Sequence, residues 1–264
     1  IEKKPLYHFY PGSKILSIGS NSCNFSCVFC QNYEISQQIV PTSKISAESL
    51  IAMCNEHNLD SVAFTYTEPF TWFEFILDTA KILKNENIKV VLVTNGYINA
   101  EPLEELLPYI DAMNIDLKAF DDDFYHRYCG GHLEPVLQTI KIAAQSCHIE
   151  ITNLIIPTLN DDMNEIAKLV DFVADIDEEI PLHFSRYFPC YKLHLAPTPI
   201  EILHKAKELA KKKLQNVYLG NILTERNTYC QKCGELVINR ISGSDNLENG
   251  CCKSCGKKLY GRFK

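Results

Sequence analysis

The 264-residue chain lacks any uninterrupted apolar run of the roughly 18 to 20 residues that a membrane helix needs, although 46% of it is hydrophobic. It also lacks an initiator Met and the apolar stretch of a signal peptide, opening instead Ile1-Glu-Lys-Lys-Pro. The expectation is a cytoplasmic protein from which an upstream segment is missing. Basic clusters are scarce as well: 26 Lys and Arg stand against 33 Asp and Glu, for a formal net charge of -7. Phosphate binding is driven by clustered Lys and Arg, so neither nucleic acid nor a membrane is expected as a partner. The one basic run, Lys211-Lys212-Lys213, reads as the solvated face of a helix.

Cysteine, by contrast, is abundant, at twelve residues. A chain with no export signal is kept reduced by cytosolic thiols, so metal or cluster ligation is a better first reading than a disulfide framework. Cys23, Cys27 and Cys30 crowd into one loop, and Cys230, Cys233, Cys251, Cys252 and Cys255 into another. Cys54, Cys129, Cys147 and Cys190 are scattered among apolar residues and read as ordinary buried cysteines.

Short β-branched runs alternate with amphipathic helical stretches. Strands are predicted over 14–18, 61–67, 89–94, 112–117, 148–156 and 182–188, and helices over 47–57, 70–85, 102–107, 135–146 and 163–175, with Ser46 and Asp161 as N-caps. Strand followed by helix, repeated, implies an α/β fold with a parallel sheet, and runs such as Val90-Val91-Leu92-Val93 are apolar on both faces, as covered strands are. Six units are too few for a closed eight-stranded barrel. The expected architecture is a partial (β/α)6 TIM-like barrel over 1–222, with a doubly wound sheet as the alternative, followed by a small four-Cys module over 226–264. Unusual polar residues mark the carboxyl ends of the predicted strands: Asn21 and Cys23, Thr67 and Glu68, Asn95 and Gly96, Asp116 and Lys118. That edge is where parallel α/β folds build sites.

Cys23-x3-Cys27-x2-Cys30 offers three thiolates. Three thiolates bind three irons of a 4Fe-4S cubane and leave the fourth iron open, whereas electron-transfer clusters normally have four cysteines. A closed zinc site needs a fourth ligand, and no His lies nearby in sequence, so zinc here requires a ligand from a distant part of the chain.

These residues resemble the signature of the radical S-adenosylmethionine (SAM) superfamily. Thr65-Tyr66-Thr67-Glu68-Pro69 resembles its second-strand motif. Val93-Thr94-Asn95-Gly96 and Ile115-Asp116-Leu117-Lys118 resemble the third- and fourth-strand motifs of the activating enzymes for glycyl radical proteins. The AmmeMemoRadiSam branch is similar over nearly the whole chain, through Pro5-Leu6-Tyr7-His8-Phe9-Tyr10-Pro11-Gly12-Ser13, Cys30-Gln31-Asn32-Tyr33-Glu34-Ile35-Ser36-Gln37 and Pro181-Leu182-His183-Phe184-Ser185-Arg186-Tyr187. Members of that branch usually carry a further cysteine-bearing segment ahead of this opening. The resemblance implies SAM as cofactor beside the cluster, Thr67 and Glu68 around its ammonium, and Asn95, Asp116, Lys118, Asn153 and Arg186 among its other contacts. For Asn95, Asp116 and Asn153 the alternative is a strand-end cap or a local polar network. It further implies a 5'-deoxyadenosyl radical acting on an unidentified substrate, either a protein or a small molecule, and an electron donor such as flavodoxin or ferredoxin. Some activators bind a monovalent cation through an Asp before Thr-Asn-Gly; Val93 stands there, so that ion is not expected. A non-catalytic iron-sulfur and zinc carrier or scaffold is the reading from a different class, and it leaves Glu68 without a purpose.

Cys230-x2-Cys233-Gly234 and Cys252-x2-Cys255-Gly256 form two knuckles about twenty residues apart, a spacing that suits a tetrahedral four-thiolate site. Zinc is the expected metal and a rubredoxin-type iron the alternative, since four thiolates suit both. Cys251 substitutes for Cys252 only by stretching its knuckle. So small a ribbon has too little core to fold alone, and the metal would supply its stability.

Overall fold

The computed structural model describes residues 1–263. Seven parallel strands make the main sheet, and their order across it is their order in the chain: β1 (Leu16–Ile18), β2 (Ser61–Phe64), β3 (Lys89–Thr94), β4 (Ala112–Asp116), β5 (His148–Ile155), β6 (Leu182–Arg186) and β7 (Val217–Gly220). Six helices of seven residues or more alternate with them among the described residues: α1 (Ala47–His57), α2 (Phe73–Asn85), α3 (Ala100–Leu106), α4 (Leu133–Ala144), α5 (Met163–Ile176) and α6 (Ile200–Ala210). Six strand–helix units were expected and six are present; the seventh strand closes the series. The four residues of β7, Val217-Tyr218-Leu219-Gly220, are too few to carry a periodicity signal.

Contacts cluster the chain into two units: Lys14–Ile149 with Phe188–Ala196, and Ile1–Ser13 with Glu150–Tyr187 and Pro197–Lys264. In the first, β1 to β4 pair in parallel, with Leu16 opposite Val62, Val62 opposite Val90 and Leu92 opposite Met113. Val62, Ala63, Phe64, Val90, Val91 and Leu92 are all 0% exposed, so β2 and β3 are covered on both faces, as their unbroken apolar runs require. Ser46 caps α1 by accepting the Ser49 amide at 3.3 Å, and Asn58 ends it in the left-handed region at φ +52°. No helix is long and apolar enough to cross a membrane among the described residues.

In the second unit, Asp162 rather than Asp161 caps α5, accepting from the amides of Asn164 and Glu165. Asp161 instead accepts the Thr158 amide one turn earlier, so two adjacent Asp residues divide the turn and the cap between them. Lys211–Lys213 form a turn just past α6, where three cations suit the negative end of the helix. Residues 1–13 are fixed by a buried carboxylate: Glu150 on β5 is 0% exposed and accepts the Tyr7 and His8 amides at 2.9 and 2.7 Å, and a ring nitrogen of His183 on β6 lies 2.6 Å from it. A buried polar group is stable only when its lone pairs are taken up in this way.

The C-terminal module adds β8 (Thr228–Tyr229), β9 (Leu236–Asn239), β10 (Ser244–Asp245), β11 (Leu247–Glu248) and β12 (Cys251–Cys252). It has a core of its own, of Val237, Ile238, Leu247 and Leu259 around two of the cysteines. It also bonds to the N-terminal segment: Tyr10 donates to the Arg262 carbonyl, Arg262 to the His8 carbonyl, and Arg240 to the Tyr7 carbonyl.

Candidate metal and cofactor sites

Chain geometry brings the first cysteine loop to the carboxyl ends of β2 and β3. At Gly19, just past β1, a Cβ would lie 2.5 Å from the Thr65 carbonyl, so the chain leaving β1 still runs against the end of β2. The Thr67 hydroxyl then donates to the Ser20 carbonyl at 2.9 Å, and the Asn32 amide to the Tyr66 carbonyl at 2.6 Å, which lays residues 20–32 along the end of β2. On the far side, Ser26 and Val28 donate to the carbonyls of Cys129 and Tyr128. These belong to a π-helical turn, Tyr125–Cys129, followed by Gly130 and Gly131. Glycine is required at both: a Cβ would meet the Ser26 hydroxyl at 2.6 Å and the Phe25 ring at 2.3 Å. The 188–196 segment adds the Lys192 amide on the Val28 carbonyl and Tyr191 stacked on Tyr33 at 4.7 Å.

Within this clasp Cys27 is buried and Cys23 and Cys30 are half-buried. Cys23 sulfur accepts the Phe25 amide at 3.4 Å and the Asn95 side-chain amide at 3.7 Å. Cys30 sulfur lies 3.2 Å from the Ser36 hydroxyl, and the backbone bonds of Ser26 and Val28 hold Cys27 beside the turn that carries Cys129. Burial pushes the Cys23 thiol up to about 12. Cys27 is lowered, first by its hydrogen bond with Cys129 and against its burial, while Cys129 is raised by that same bond. Among the described residues, three or more ligand atoms approach within 4.8 Å of one another only in the C-terminal module. The sulfurs of Cys23, Cys27 and Cys30 are therefore spread more widely than a single bound ion requires. Three spread thiolates, two of them with a hydrogen-bond partner, fit an iron-sulfur cluster and do not fit zinc.

Glu68 is 2% exposed and ends β2's loop. One carboxylate oxygen accepts the Phe70 amide at 3.1 Å and the Thr94 hydroxyl at 2.7 Å; the other accepts the Asn95 amide at 2.8 Å. Burial pushes its carboxyl up to about 7 against these hydrogen bonds. Asn95 turns its side chain to Asn24 at 2.7 Å and to Cys23. At the end of β4, Lys118 pairs with Asp116 at 2.8 Å, and its amide donates to the Tyr125 hydroxyl at 2.9 Å. Burial opposes the charge on Lys118, but the charges of Asp116 and Cys27 raise it well above the usual lysine value. One unit thus brings together Cys23, Cys27, Cys30, Thr67, Glu68, Asn95, Asp116 and Lys118. Asn153 and Arg186 belong to the other unit: Asn153 is buried on β5, and the Arg186 guanidinium donates to the Thr198 carbonyl at 2.8 Å.

Sequence reasoning missed Ser36, Asn24 and Tyr125. Cys129, read as an ordinary buried cysteine, is 0% exposed as expected; what the reading did not use is the Gly130-Gly131 pair directly after it, a mark of close backbone approach.

In the C-terminal module the ligand atoms of Cys230, Cys233, Cys252 and Cys255 lie within 4.8 Å of one another. The two knuckles are copies in their bonding: Gly234 and Gly256 donate to the carbonyls of Cys230 and Cys252, and Cys230 and Cys252 donate to those of Glu235 and Lys257. Gly234 and Gly256 have φ of +75° and +71° with open space around them, so they serve backbone conformation, not packing. Burial works against the Cys230 thiolate, but amides of Cys233 and Lys232 outweigh it and bring the thiol to about 7. The arrangement fits one tetrahedral metal ion. Cys251 lies outside the four.

The fold and the three-cysteine edge together define a class, the partial α/β barrel of radical enzymes. The chain belongs to the radical SAM superfamily, whose sequence profile matches residues 17–173. An uncharacterized protein of Methanocaldococcus jannaschii is 42% identical over 273 aligned positions, covering 98% of this chain and 81% of that one. The pyruvate formate-lyase-activating enzyme of Clostridium pasteurianum is 26% identical, covering 76% of this chain and 88% of that one. Among solved structures, Streptococcus suis SuiB bound to S-adenosylmethionine superposes with a TM-score of 0.63 at 17% identity, over 84% of this chain and 53% of that one. The chain is thus an enzyme of this superfamily with activating-enzyme relatives.

Proposed function

We propose that Cys23, Cys27 and Cys30 hold a 4Fe-4S cluster, that SAM binds beside it, and that the substrate is a protein. When bound, the reduced cluster and SAM together supply a 5'-deoxyadenosyl radical that removes a hydrogen atom from the substrate. The chain's own residues bind and orient. Glu68, anchored by three donors, presents a buried negative charge suited to the cofactor's ammonium, and that cation in turn would hold the carboxyl ionised. Thr67 fixes the loop against β2 through Ser20. Lys118 supplies a half-buried cation for carboxylate or ribose oxygens, with Asp116 aiming it. The single observation that carries the reading is the Asn95 side chain bonded to Cys23 sulfur, which joins the cysteine loop to the same strand end that anchors Glu68. A protein substrate is favoured by the activating-enzyme relatives, and flavodoxin or ferredoxin is the proposed reductant. In the C-terminal module, the four thiols are assigned to zinc.

The test is anaerobic reconstitution with iron and sulfide, reduction with dithionite, addition of SAM and chromatographic measurement of 5'-deoxyadenosine. Wild-type protein is expected to form it and Cys27→Ser to form none; cluster-loaded wild-type protein that forms none overturns the proposal.

A further inference from the structure

The three sulfurs of the cysteine loop do not share one kind of donor. Each has its own polar neighbour, from a different element. Cys23 has the Asn95 side-chain amide at 3.7 Å, from the end of β3; the other hydrogen of that amide is spent on Asn24 at 2.7 Å, and the Asn95 carbonyl oxygen accepts the Tyr97 amide at 2.9 Å. The amide orientation is therefore fixed, with nitrogen toward sulfur. Cys30 has the Ser36 hydroxyl at 3.2 Å, from the one-turn helix Tyr33–Ser36. The Gln37 side-chain amide, held at 2.9 Å on the Phe25 carbonyl, lies 3.4 Å from that hydroxyl oxygen and occupies one lone pair; a Cys30 thiolate bound to iron carries no proton, so toward it the hydroxyl is the donor. Cys27 has buried Cys129 held beside it. Backbone bonds from Ser26 to Cys129 at 2.8 Å and from Val28 to Tyr128 at 3.0 Å bracket Cys27, and Cys129 is 0% exposed, so its thiol has no access to water.

Resting on the cluster reading above, we propose that Ser36, Asn95 and Cys129 are positioning residues that set the cluster's reduction potential, each donating one hydrogen bond to a different ligand sulfur. Reduction adds negative charge that the sulfurs share, and a donor aimed at sulfur favours the reduced state. Cys129 acts as a donor to a ligand and binds no iron itself.

The experiment is a redox titration of reconstituted full-length protein followed by electron paramagnetic resonance, alongside iron and sulfide analysis. Ser36→Ala and Cys129→Ala are each expected to lower the reduced-to-oxidised ratio at a fixed potential about tenfold, a shift of about 59 mV to more negative potential for a one-electron couple. Cys129→Ser restores a donor and is expected to recover most of that shift. Full cluster content with unmoved midpoints in both alanine variants overturns the proposal, since a packing role alone changes cluster retention without changing potential. Should Cys129→Ala fail to take up iron, Ser36→Ala decides by the same criterion. Wild-type protein that takes up no cluster overturns the cluster reading itself, an outcome distinct from these.

Discussion

At Glu68 the physics of one side chain has a measurable sign. Its carboxyl titrates near 7 in the folded chain and near 4.5 in the unfolded one, because burial outweighs the three hydrogen bonds it accepts. The folded state therefore binds the extra proton between those values, and its stabilising contribution is complete below about pH 4.5 and lost as pH rises through 7. At about 1.4 kcal/mol per unit the full span is on the order of 3 kcal/mol. Denaturant melts of cluster-free protein from pH 4.5 to 8 are expected to show this loss in wild type. Glu68→Gln should be less stable at low pH, since its amide group confronts donors, but should lack that component of the slope; parallel curves for the two would contradict the assignment. The sequence marked Glu68 as an acid at a strand end, and its neighbours say why it stays there. It did not reveal that the Asn95 side chain turns to sulfur, because amide orientation depends on Asn24 and Tyr97, which come together only through the fold.

The elements were legible in proportion to their length. β3 and α1 fall where periodicity and capping put them, whereas β7 is four residues long and left no signal. The π-helical turn Tyr125–Cys129 was invisible for another reason: its role is to meet the cysteine loop some hundred residues earlier, and no local pattern encodes that meeting. The glycines after it are the readable trace. A Cβ at position 131 would sit 2.3 Å from the Phe25 ring, which is 2% exposed and packed 4.9 Å from Tyr97, so the ring cannot swing away cheaply. Overpacking of this kind costs about 1–3 kcal/mol. Gly131→Ala is accordingly expected to fold while displacing the loop, and to retain less than half the wild-type iron after reconstitution and desalting. Wild-type iron content in that variant would show that the clasp does not hold the loop.

At the scale of the whole molecule, the two cysteine sets have different consequences. The first is built into a sheet whose strands are buried without it, whereas the C-terminal module has a small core of which its cysteines are part. Four thiols drawn within 4.8 Å repel as thiolates or compete for protons unless a cation lies among them, so metal is expected to supply much of that module's stability. The module is tied to residues 1–13 through Tyr10, Arg262, His8 and Arg240, while Glu150 holds Tyr7 and His8 from the strand side. Loss of the metal should therefore loosen residues 1–13 only in part. Hydrogen exchange measured by mass spectrometry is expected to show that Cys233→Ser, or chelation of the wild type, deprotects residues 226–263 strongly. The Tyr10 amide, which bonds to Arg262, should follow it, and the Tyr7 and His8 amides, which bond to Glu150, should stay protected. Uniform deprotection of residues 1–13 would mean that the module and not Glu150 holds the segment. No deprotection anywhere would mean that the knuckles close without metal.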